Sequence, residues 1–330
     1  MKIASRRTPY GDRLCFADLV PHRLIDVQAA FVRQLETAGV HPADARLRAR
    51  LAVPCDLPTL LRADPELGDV RRVFDWCLDH LDSGELYDDC LWNDEPGRLA
   101  SPVGRPRTVW TMLAAYPRQR PATPASGSGS GFGVGPGGEP ARRAMQGCLK
   151  APNSIAGPRD DLLHPVFSSR VDPEIELAVV IGRRSRKLDL DNALAAVAGY
   201  VAFCDTGARD ISELDNNRMD RGKGCDTFGI TGPWFVTADE IPDPHDVRIR
   251  SWVNGEPRQD GNTADLIYPI PEQLAWLTAG MTLEPGDVLS TGAPAGHGVV
   301  QPGDVVRGEV DGLGVIETKV VLDDAADAAG

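Results

Sequence analysis

The sequence predicts an α+β protein that is mostly β in its C-terminal half, with a smaller α/β part at its N-terminus. From about Cys148 onward, short apolar runs such as ELAVVIG, YVAFCD and GPWFVTA are separated by Gly, Pro and Asp turns, a pattern typical of many short strands. Earlier in the chain, strand-like pieces mix with runs whose apolar residues recur at helical spacing. A chain of 330 residues is long enough for two domains.

The N-terminal part, residues 1–105, is expected to form a small α/β domain. Helical patterns cover residues 24–35 and 69–81. No catalytic motif stands out in this part, so we expect the chemistry to lie elsewhere.

Residues 106–147 are predicted to be a linker that includes a flexible loop. Residues 117–143 consist largely of Gly, Pro, Ser and Ala and contain almost no apolar side chains to bury. Glycines 127, 129 and 131 have GxGxG spacing, but no apolar strand precedes them and no Lys-Ser/Thr pair follows. A phosphate-binding loop is therefore not expected there.

Residues 148–325 are expected to form the catalytic domain. Besides its strands, this part contains two helical patterns, NALAAVAGY at residues 192–200 and a second one at residues 271–279. A mixed β barrel or sandwich built from such strands has an interior that can hold a small ligand.

Composition argues against two classes of function. The formal net charge of −13 and the pI near 4.9 disfavour nucleic-acid binding, which needs clustered Lys and Arg. No window approaches the length of a membrane span, and residues 1–16 lack the apolar core of a signal peptide. Seven cysteines without a CxxC pair indicate neither a disulfide framework nor a zinc cluster, so we expect a soluble cytoplasmic protein.

Three carboxylates predict a metal site. Glu174 and Glu176 stand two residues apart in the run VDPEIELAVVIG, so in a strand both side chains point to one face while Ile175 packs into the core. Asp205, at the end of the run GYVAFCD, can complete the set. An all-oxygen donor set suits a hard cation such as Mg²⁺, Mn²⁺ or Ca²⁺ and does not suit zinc.

A series of motifs over residues 150–321 resembles the fumarylacetoacetate hydrolase family. In order, the chain reads EIELAVVIG, GYVAFCDTGARD, KGCDTF, GPWFVT, VNGE, GNT, LEPGDVLSTGAPAG and PGDVV. The resemblance implies a mixed β-roll in the C-terminal domain, a small variable N-terminal domain and pairing into homodimers.

The resemblance also implies roles for individual residues. The residues implied to hold a divalent cation, usually Mg²⁺, are Glu174, Glu176 and Asp205. Lys223 is implied to be the catalytic lysine beside the cation. The residues implied to contact the substrate are Arg209, Thr291 and Gly292, and Arg209 with Asp210 is also implied to brace the metal loop. Ala293 replaces the second threonine of the family's T-G-T-P-x-G loop.

Three further residues are candidates because of their own chemistry. Gln259 and Thr263, in the run EPRQDGNTADLIY, can contact the far end of a substrate, unless this run is a plain turn. His297 lies in the loop that carries Thr291 and can serve as an acid or base, because histidine titrates near neutral pH. His164 is expected only to pack or to cap a strand.

The chain departs from the family at one place that bears on the reaction. Family hydrolases usually carry an N-Y-x-x-H-x-x-E segment whose His and Glu activate water. The run AAYPRQRPA aligns with this segment through Tyr116, but Ala115 replaces the Asn, Gln119 the His and Ala122 the Glu. Neither Gln nor Ala can act as a general base, and loss of that base typically costs ~10²–10⁴ in rate.

We expect a divalent-metal-dependent hydrolase that cleaves a C–C bond of a 2-oxo or 1,3-dicarbonyl acid through a metal-bound enolate. Hydrolysis then needs another base, such as His297, Glu139 or a residue of the N-terminal domain. A decarboxylase, tautomerase or hydratase could use the same metal site without the His–Glu pair. A catalytically silent scaffold or binding protein is the third alternative, although a scaffold has no reason to retain the three carboxylates and Lys223.

Overall fold

The computed structural model describes residues 1–82, 86, 89–117 and 145–324. Within these ranges the strands are β1 (Lys2–Thr8), β2 (Gly11–Val20), β3 (Arg23–Asp26), β4 (Leu91–Asn93), β5 (Leu99–Ala100), β6 (Val109–Leu113), β7 (Gln146–Lys150), β8 (Ile155–Ala156), β9 (Leu162–Pro165), β10 (Val171–Asp172), β11 (Ile175–Ile181), β12 (Val197–Asp205), β13 (Gly207–Ala208), β14 (Gly229–Thr231), β15 (Phe235–Thr237), β16 (Arg248–Val253), β17 (Glu256–Asn262), β18 (Val288–Ser290), β19 (Val305–Val310) and β20 (Gly314–Asp323). The helices of the same ranges are α1 (Val27–Thr37), α2 (Pro42–Ala52), α3 (Leu57–Ala63), α4 (Gly68–His80), α5 (Arg209–Leu214), α6 (Asp220–Lys223) and α7 (Ile270–Gly280).

Most strands belong to one large sheet, which confirms the predicted α+β, mostly β class. Its main path through the described residues is β4-β3-β2-β1-β15-β12-β11-β18-β6-β7, and β5, β8 and β14 pair onto this path. A five-stranded sheet has the order β17-β16-β19-β20-β9, and β10 pairs with β13. The large sheet joins the N-terminal strands to the C-terminal half through the antiparallel pair β1 and β15.

The central strand β11 is covered on both faces. All seven of its residues are buried, as expected for the continuous apolar run ELAVVIG. Ala178 and Val180 pack with apolar side chains of α1, α3 and α4. Leu177 and Val179 face the other way and pack with apolar side chains of β16, β19 and β20. Helices α1, α3 and α4 and the five-stranded sheet therefore lie on opposite faces of the large sheet.

One predicted helix is wrong. Residues 192–200 form a 3₁₀ turn, Ala193–Ala196, followed by the start of β12. Alanine favours helices, but β12 occupies the place between β11 and β15, so tertiary packing overrides local propensity. Gly199 permits this packing, because a Cβ atom there would lie 2.1 Å from the carbonyl oxygen of Val236 in β15.

The predicted linker is partly a strand. Within residues 106–147, β6 pairs in parallel with β18, and β7 begins before the predicted boundary and pairs antiparallel with β6. The Gly-rich run between these strands, with Gln119, Ala122 and Glu139, lies outside the described residues.

The other predicted helices exist with shifted ends. The pattern at residues 271–279 is confirmed as α7, and the one at residues 69–81 as α4. The helical pattern at residues 24–35 overlaps the last residues of β3 and most of α1. Within the described ranges, none of the helices combines the length and the apolar character that crossing a membrane requires.

Replacing Gly199 with alanine is expected to lower the free energy of unfolding by about 2–3 kcal/mol, because the new methyl group must displace the backbone of β15. The matched control is Gly280→Ala at the end of α7, where a Cβ atom meets nothing within 4 Å. Urea denaturation of both variants measures the difference. Equal midpoints for the two variants would contradict the close packing of β12 on β15.

Candidate metal centre

The antiparallel register of β11 and β12 brings the three predicted carboxylates together. Ile175 pairs with Cys204. Because the strands are antiparallel, Glu174, just before Ile175, lies beside Asp205, just after Cys204. The Asp205 amide donates to the Glu174 carbonyl oxygen at 2.7 Å. One carboxylate oxygen from each of Glu174, Glu176 and Asp205 lies within 4.8 Å of the others, so the three could hold one divalent metal ion.

The chain at the end of β18 holds Glu176 in place. Ser290 Oγ donates to Glu176 Oε2 at 2.5 Å, and the Gly292 amide donates to the same oxygen at 2.8 Å. Gly292 has a φ of 104°, and a Cβ atom there would lie 2.4 Å from the Cβ atom of Ala115. Only glycine tolerates this backbone and this close approach. Gly292, predicted to contact the substrate, thus positions a carboxylate through its backbone.

Two buried lysines surround Asp205. Lys223, the last residue of α6, has its Nζ 2.8 Å from Glu174 Oε2 and 2.5 Å from Asp205 Oδ2. Lys150 Nζ, from β7, lies 2.8 Å from Asp205 Oδ1 and donates to two backbone carbonyl oxygens at 3.0 and 2.6 Å. Thr111, from β6, donates its hydroxyl to Asp205 Oδ2. No sequence motif singled out Lys150 or Thr111, since they reach Asp205 only through the order of the strands.

The charges of this cluster fit a cation. Burial acts to raise the pKa of Asp205, but Lys150 and Lys223 outweigh it and hold this pKa well below its usual range. Burial, together with the charges of Asp205 and Glu174, raises the pKa of Glu176 well above its usual value. A divalent cation between the carboxylates would remove this penalty on the charged form. The buried all-oxygen donor set is the kind that hard divalent cations prefer.

Asp172, Arg209 and His297 form a polar group beside Glu174. Arg209 Nη2 donates to Glu174 Oε1 at 2.6 Å, and its Nε lies 3.4 Å from Asp172 Oδ2. His297 Nε2 lies 3.2 Å from Glu174 Oε1, and its Nδ1 lies 3.8 Å from Asp172 Oδ2. Asp172 extends the two-residue alternation of Glu174 and Glu176 toward the N-terminus, and this spacing is visible in the sequence.

A cavity of about 770 Å³ opens onto Glu174 and Glu176. Its polar wall includes Asp172, Arg209 and His297, and its apolar wall includes Met112, Tyr116 and Met219. A cavity of this size suits a small organic ligand. In the loop after β18, the residues that line the cavity are Ala293, Ala295, Gly296 and His297.

Tyr116 places an unpaired hydroxyl in the cavity wall. The side chain is 6% exposed, and its hydroxyl has no hydrogen-bond partner among the described residues. Burial, and then the charges of Glu176 and Asp265, raises the pKa of Tyr116. The hydroxyl therefore remains a proton donor. Of the family's water-activating segment, Tyr116 and Ala115 are described, whereas residues 119 and 122 lie outside the described ranges.

Gln259, Thr263 and Thr291, predicted to contact the substrate, are not among the described residues that line the cavity. Gln259 is buried, and its side chain accepts from the Ile175 amide at 2.9 Å and donates to the Ile175 and Pro294 carbonyl oxygens. Thr263 Oγ1 accepts from a backbone amide at 2.9 Å, and Thr291 Oγ1 donates to a carbonyl oxygen of β11 at 2.8 Å. All three side chains hold backbone segments together.

Lys223 and His164 are both buried. Lys223 is 2% exposed and contacts the carboxylates, so it positions them and does not form part of the cavity wall. Burial lowers the pKa of Lys223, but Asp205 and Glu174 raise it more, which keeps the side chain charged. His164 packs within β9, and neither ring nitrogen has a hydrogen-bond partner among the described residues.

Comparison with known sequences identifies a family. The family described as fumarylacetoacetate (FAA) hydrolase C-terminal matches residues 133–321. An uncharacterised Pyrococcus abyssi protein is 39% identical over 180 residues, which are 54% of this chain and 80% of that protein. A Burkholderia cenocepacia protein with a provisional hydrolase name is 40% identical over 170 residues, which are 49% of this chain but only 60% of that protein.

Comparison with solved structures extends the likeness to nearly the whole chain. A maleylpyruvate hydrolase from Sphingobium sp., solved with manganese(II) and pyruvate, aligns with a TM-score of 0.69 and 26% identity over 98% of this chain and 100% of its own. A 2-hydroxyhepta-2,4-diene-1,7-dioate isomerase from Mycobacterium marinum aligns with a TM-score of 0.66 and 25% identity over 98% of this chain and 99% of its own. With more than half of its residues matched by the family and its acidic cluster arranged for a divalent ion, this chain belongs to the fumarylacetoacetate hydrolase family of enzymes.

Proposed function

We propose that this chain is a divalent-metal-dependent hydrolase that cleaves a C–C bond in a 2-oxo or 1,3-dicarbonyl acid. The observation that carries the proposal is the cluster of Glu174, Glu176 and Asp205. One carboxylate oxygen from each lies within 4.8 Å of the others, and the cluster lies beside a cavity large enough for such an acid. The Sphingobium relative was solved with manganese(II) and with pyruvate, itself a 2-oxo acid, which supports both the cation and the substrate class.

The three carboxylates would hold Mg²⁺, Mn²⁺ or Ca²⁺, which supplies Lewis-acid stabilisation of negative charge on a substrate oxygen. Lys150 and Lys223 keep Asp205 ionised and fixed, and Arg209 orients Glu174. Because these partners are in place before a substrate binds, the site needs little reorganisation during the reaction.

His297 is the proposed proton carrier. Its imidazole lines the cavity between Glu174 and Asp172, at 3.2 and 3.8 Å. Nδ1 has no hydrogen-bond partner among the described residues, because Asp172 at 3.8 Å is too distant to accept from it. Gln119 and Ala122 stand where the family has its His–Glu pair, and His297 is the histidine that lines the cavity within the described part of the chain.

A second candidate is a decarboxylase, tautomerase or hydratase at the same site. The replaced His–Glu pair and the likeness to the Mycobacterium marinum isomerase favour it, because these reactions do not all require an activated water molecule. A silent scaffold is disfavoured, since burying the charged groups of Lys150, Lys223, Glu176 and Asp205 costs free energy that a fold alone does not need. The homodimer and the cytoplasmic location stay predictions.

Glu176→Gln is expected to weaken Mn²⁺ binding at least about tenfold, because it removes one anionic ligand while keeping the shape of the side chain. Isothermal titration of Mn²⁺ into metal-free protein measures the affinity. Glu256→Gln, at an exposed position of β17, is the control and is expected to bind as the wild type does. Unchanged affinity in Glu176→Gln would rule out the proposed metal site.

Turnover separates the two candidate reactions. Metal-loaded protein is expected to convert an acylpyruvate into pyruvate and a second acid, which proton NMR detects. Oxaloacetate is the comparison substrate, since its decarboxylation releases CO₂ and leaves pyruvate. If the protein turns over oxaloacetate but not the acylpyruvate, its reaction is decarboxylation and not hydrolysis. Turnover of neither substrate would count against both reactions.

His297→Gln is expected to lower kcat on the acylpyruvate by about 10²–10⁴, the usual contribution of a general acid or base. Mn²⁺ affinity is expected to stay within about twofold, since no proposed ligand is changed. The control His41→Gln alters an exposed histidine at the start of α2. A kcat that matches the wild type would show that another group carries the proton.

A further inference from the structure

The cavity wall contains a row of four charged side chains. Arg170, Asp172, Glu174 and Glu176 alternate along one segment of the chain, and all four line the cavity. Val171 and Ile175, which lie between them in sequence, are fully buried in the core. Alternation of this kind is what an extended chain produces. The carboxylates of the metal centre therefore lie at one end of the row and the Arg170 guanidinium at the other.

Arg170 differs from Arg209 in the groups that it contacts. Arg209 is occupied by Asp172 and Glu174. Arg170 Nη1 donates to Glu213 Oε1 at 3.0 Å, and these two side chains are 48% and 63% exposed. An ion pair this exposed contributes little to stability, so a ligand carboxylate can replace Glu213 at small cost.

The cavity wall contains a second polar residue, which lies close in sequence to Glu213. Asn217 lines the wall and belongs to the turn after α5, the helix that carries Glu213. Its φ of 62° is in the left-handed region, which asparagine tolerates better than most residues. The side-chain amide offers two further donors for an anion.

We propose that Arg170, assisted by Asn217, is an anion subsite that selects substrates with a second carboxylate far from their 2-oxo acid end. This inference rests on the proposed function, because it places the 2-oxo acid end at Glu174 and Glu176. Three residues lie between Arg170 and Glu174, so in an extended chain their Cα atoms are about 13 Å apart. Only an elongated ligand can reach both ends, and a dianion as short as oxalate cannot.

The test compares ligands of equal length on Mn²⁺-loaded protein by isothermal titration. The pairs are 2-oxoadipate with 2-oxohexanoate, and 2-oxopimelate with 2-oxoheptanoate, which differ only in the second carboxylate. We expect the dicarboxylate of at least one pair to bind about tenfold or more tightly, as for a charge-assisted contact with arginine. Arg170→Gln is expected to remove this preference and to leave oxalate binding unchanged.

Arg159→Gln is the matched control. Arg159 is 37% exposed and pairs with Glu317 at 2.8 Å, so it resembles Arg170 in exposure and pairing without lining the cavity. This variant is expected to keep the preference for dicarboxylates. Equal affinities within both pairs, or a preference for dicarboxylates that survives Arg170→Gln, would overturn the subsite. In that case the proposed function would still stand as long as oxalate binds. Failure of oxalate to bind at all would overturn both.

Discussion

The pairing of β11 with β12 is the constraint on which the metal centre depends. Glu174 and Glu176 come from one strand and Asp205 from the other, so their separation is set by strand register. A slip of one residue would turn Asp205 to the opposite face of the sheet. The register is strongly specified because Ala178 and Val180 pack against helices α1, α3 and α4, whereas Leu177 and Val179 pack against the five-stranded sheet.

Burial of charge is the second constraint. A carboxylate that loses water must gain partners, and Asp205 gains two lysine ammonium groups and the Thr111 hydroxyl. These partners come from β6, β7 and α6, which are far apart in sequence. The cost of desolvation is thus offset by groups that also fix the position of the carboxylate, and a rigid ligand set favours one coordination geometry.

Polar side chains near the metal centre hold the chain segments around it in place. Gln259 joins the start of β11 to the loop after β18. Asp210 accepts hydrogen bonds from Ser168 Oγ and the Ser169 amide, both at 2.7 Å, and so braces the segment that leads to Glu174. Asp210 thus has the bracing role that the family resemblance implies, and Gln259 fixes the backbone on two sides of the metal centre.

The sequence by itself determined the mostly β class of the C-terminal half, the helices at α4 and α7, and the pair Glu174 and Glu176, because periodicity and two-residue spacing are local properties. It could not reveal that residues 192–200 enter a strand, since their alanines favour a helix and only the place between β11 and β15 decides otherwise. Lys150 carried no local signal at all. Its ammonium group meets Asp205 only because the strand order sets β7 and β6 beside β18, and contacts across a sheet depend on which strands are neighbours, a property that only the folded chain possesses.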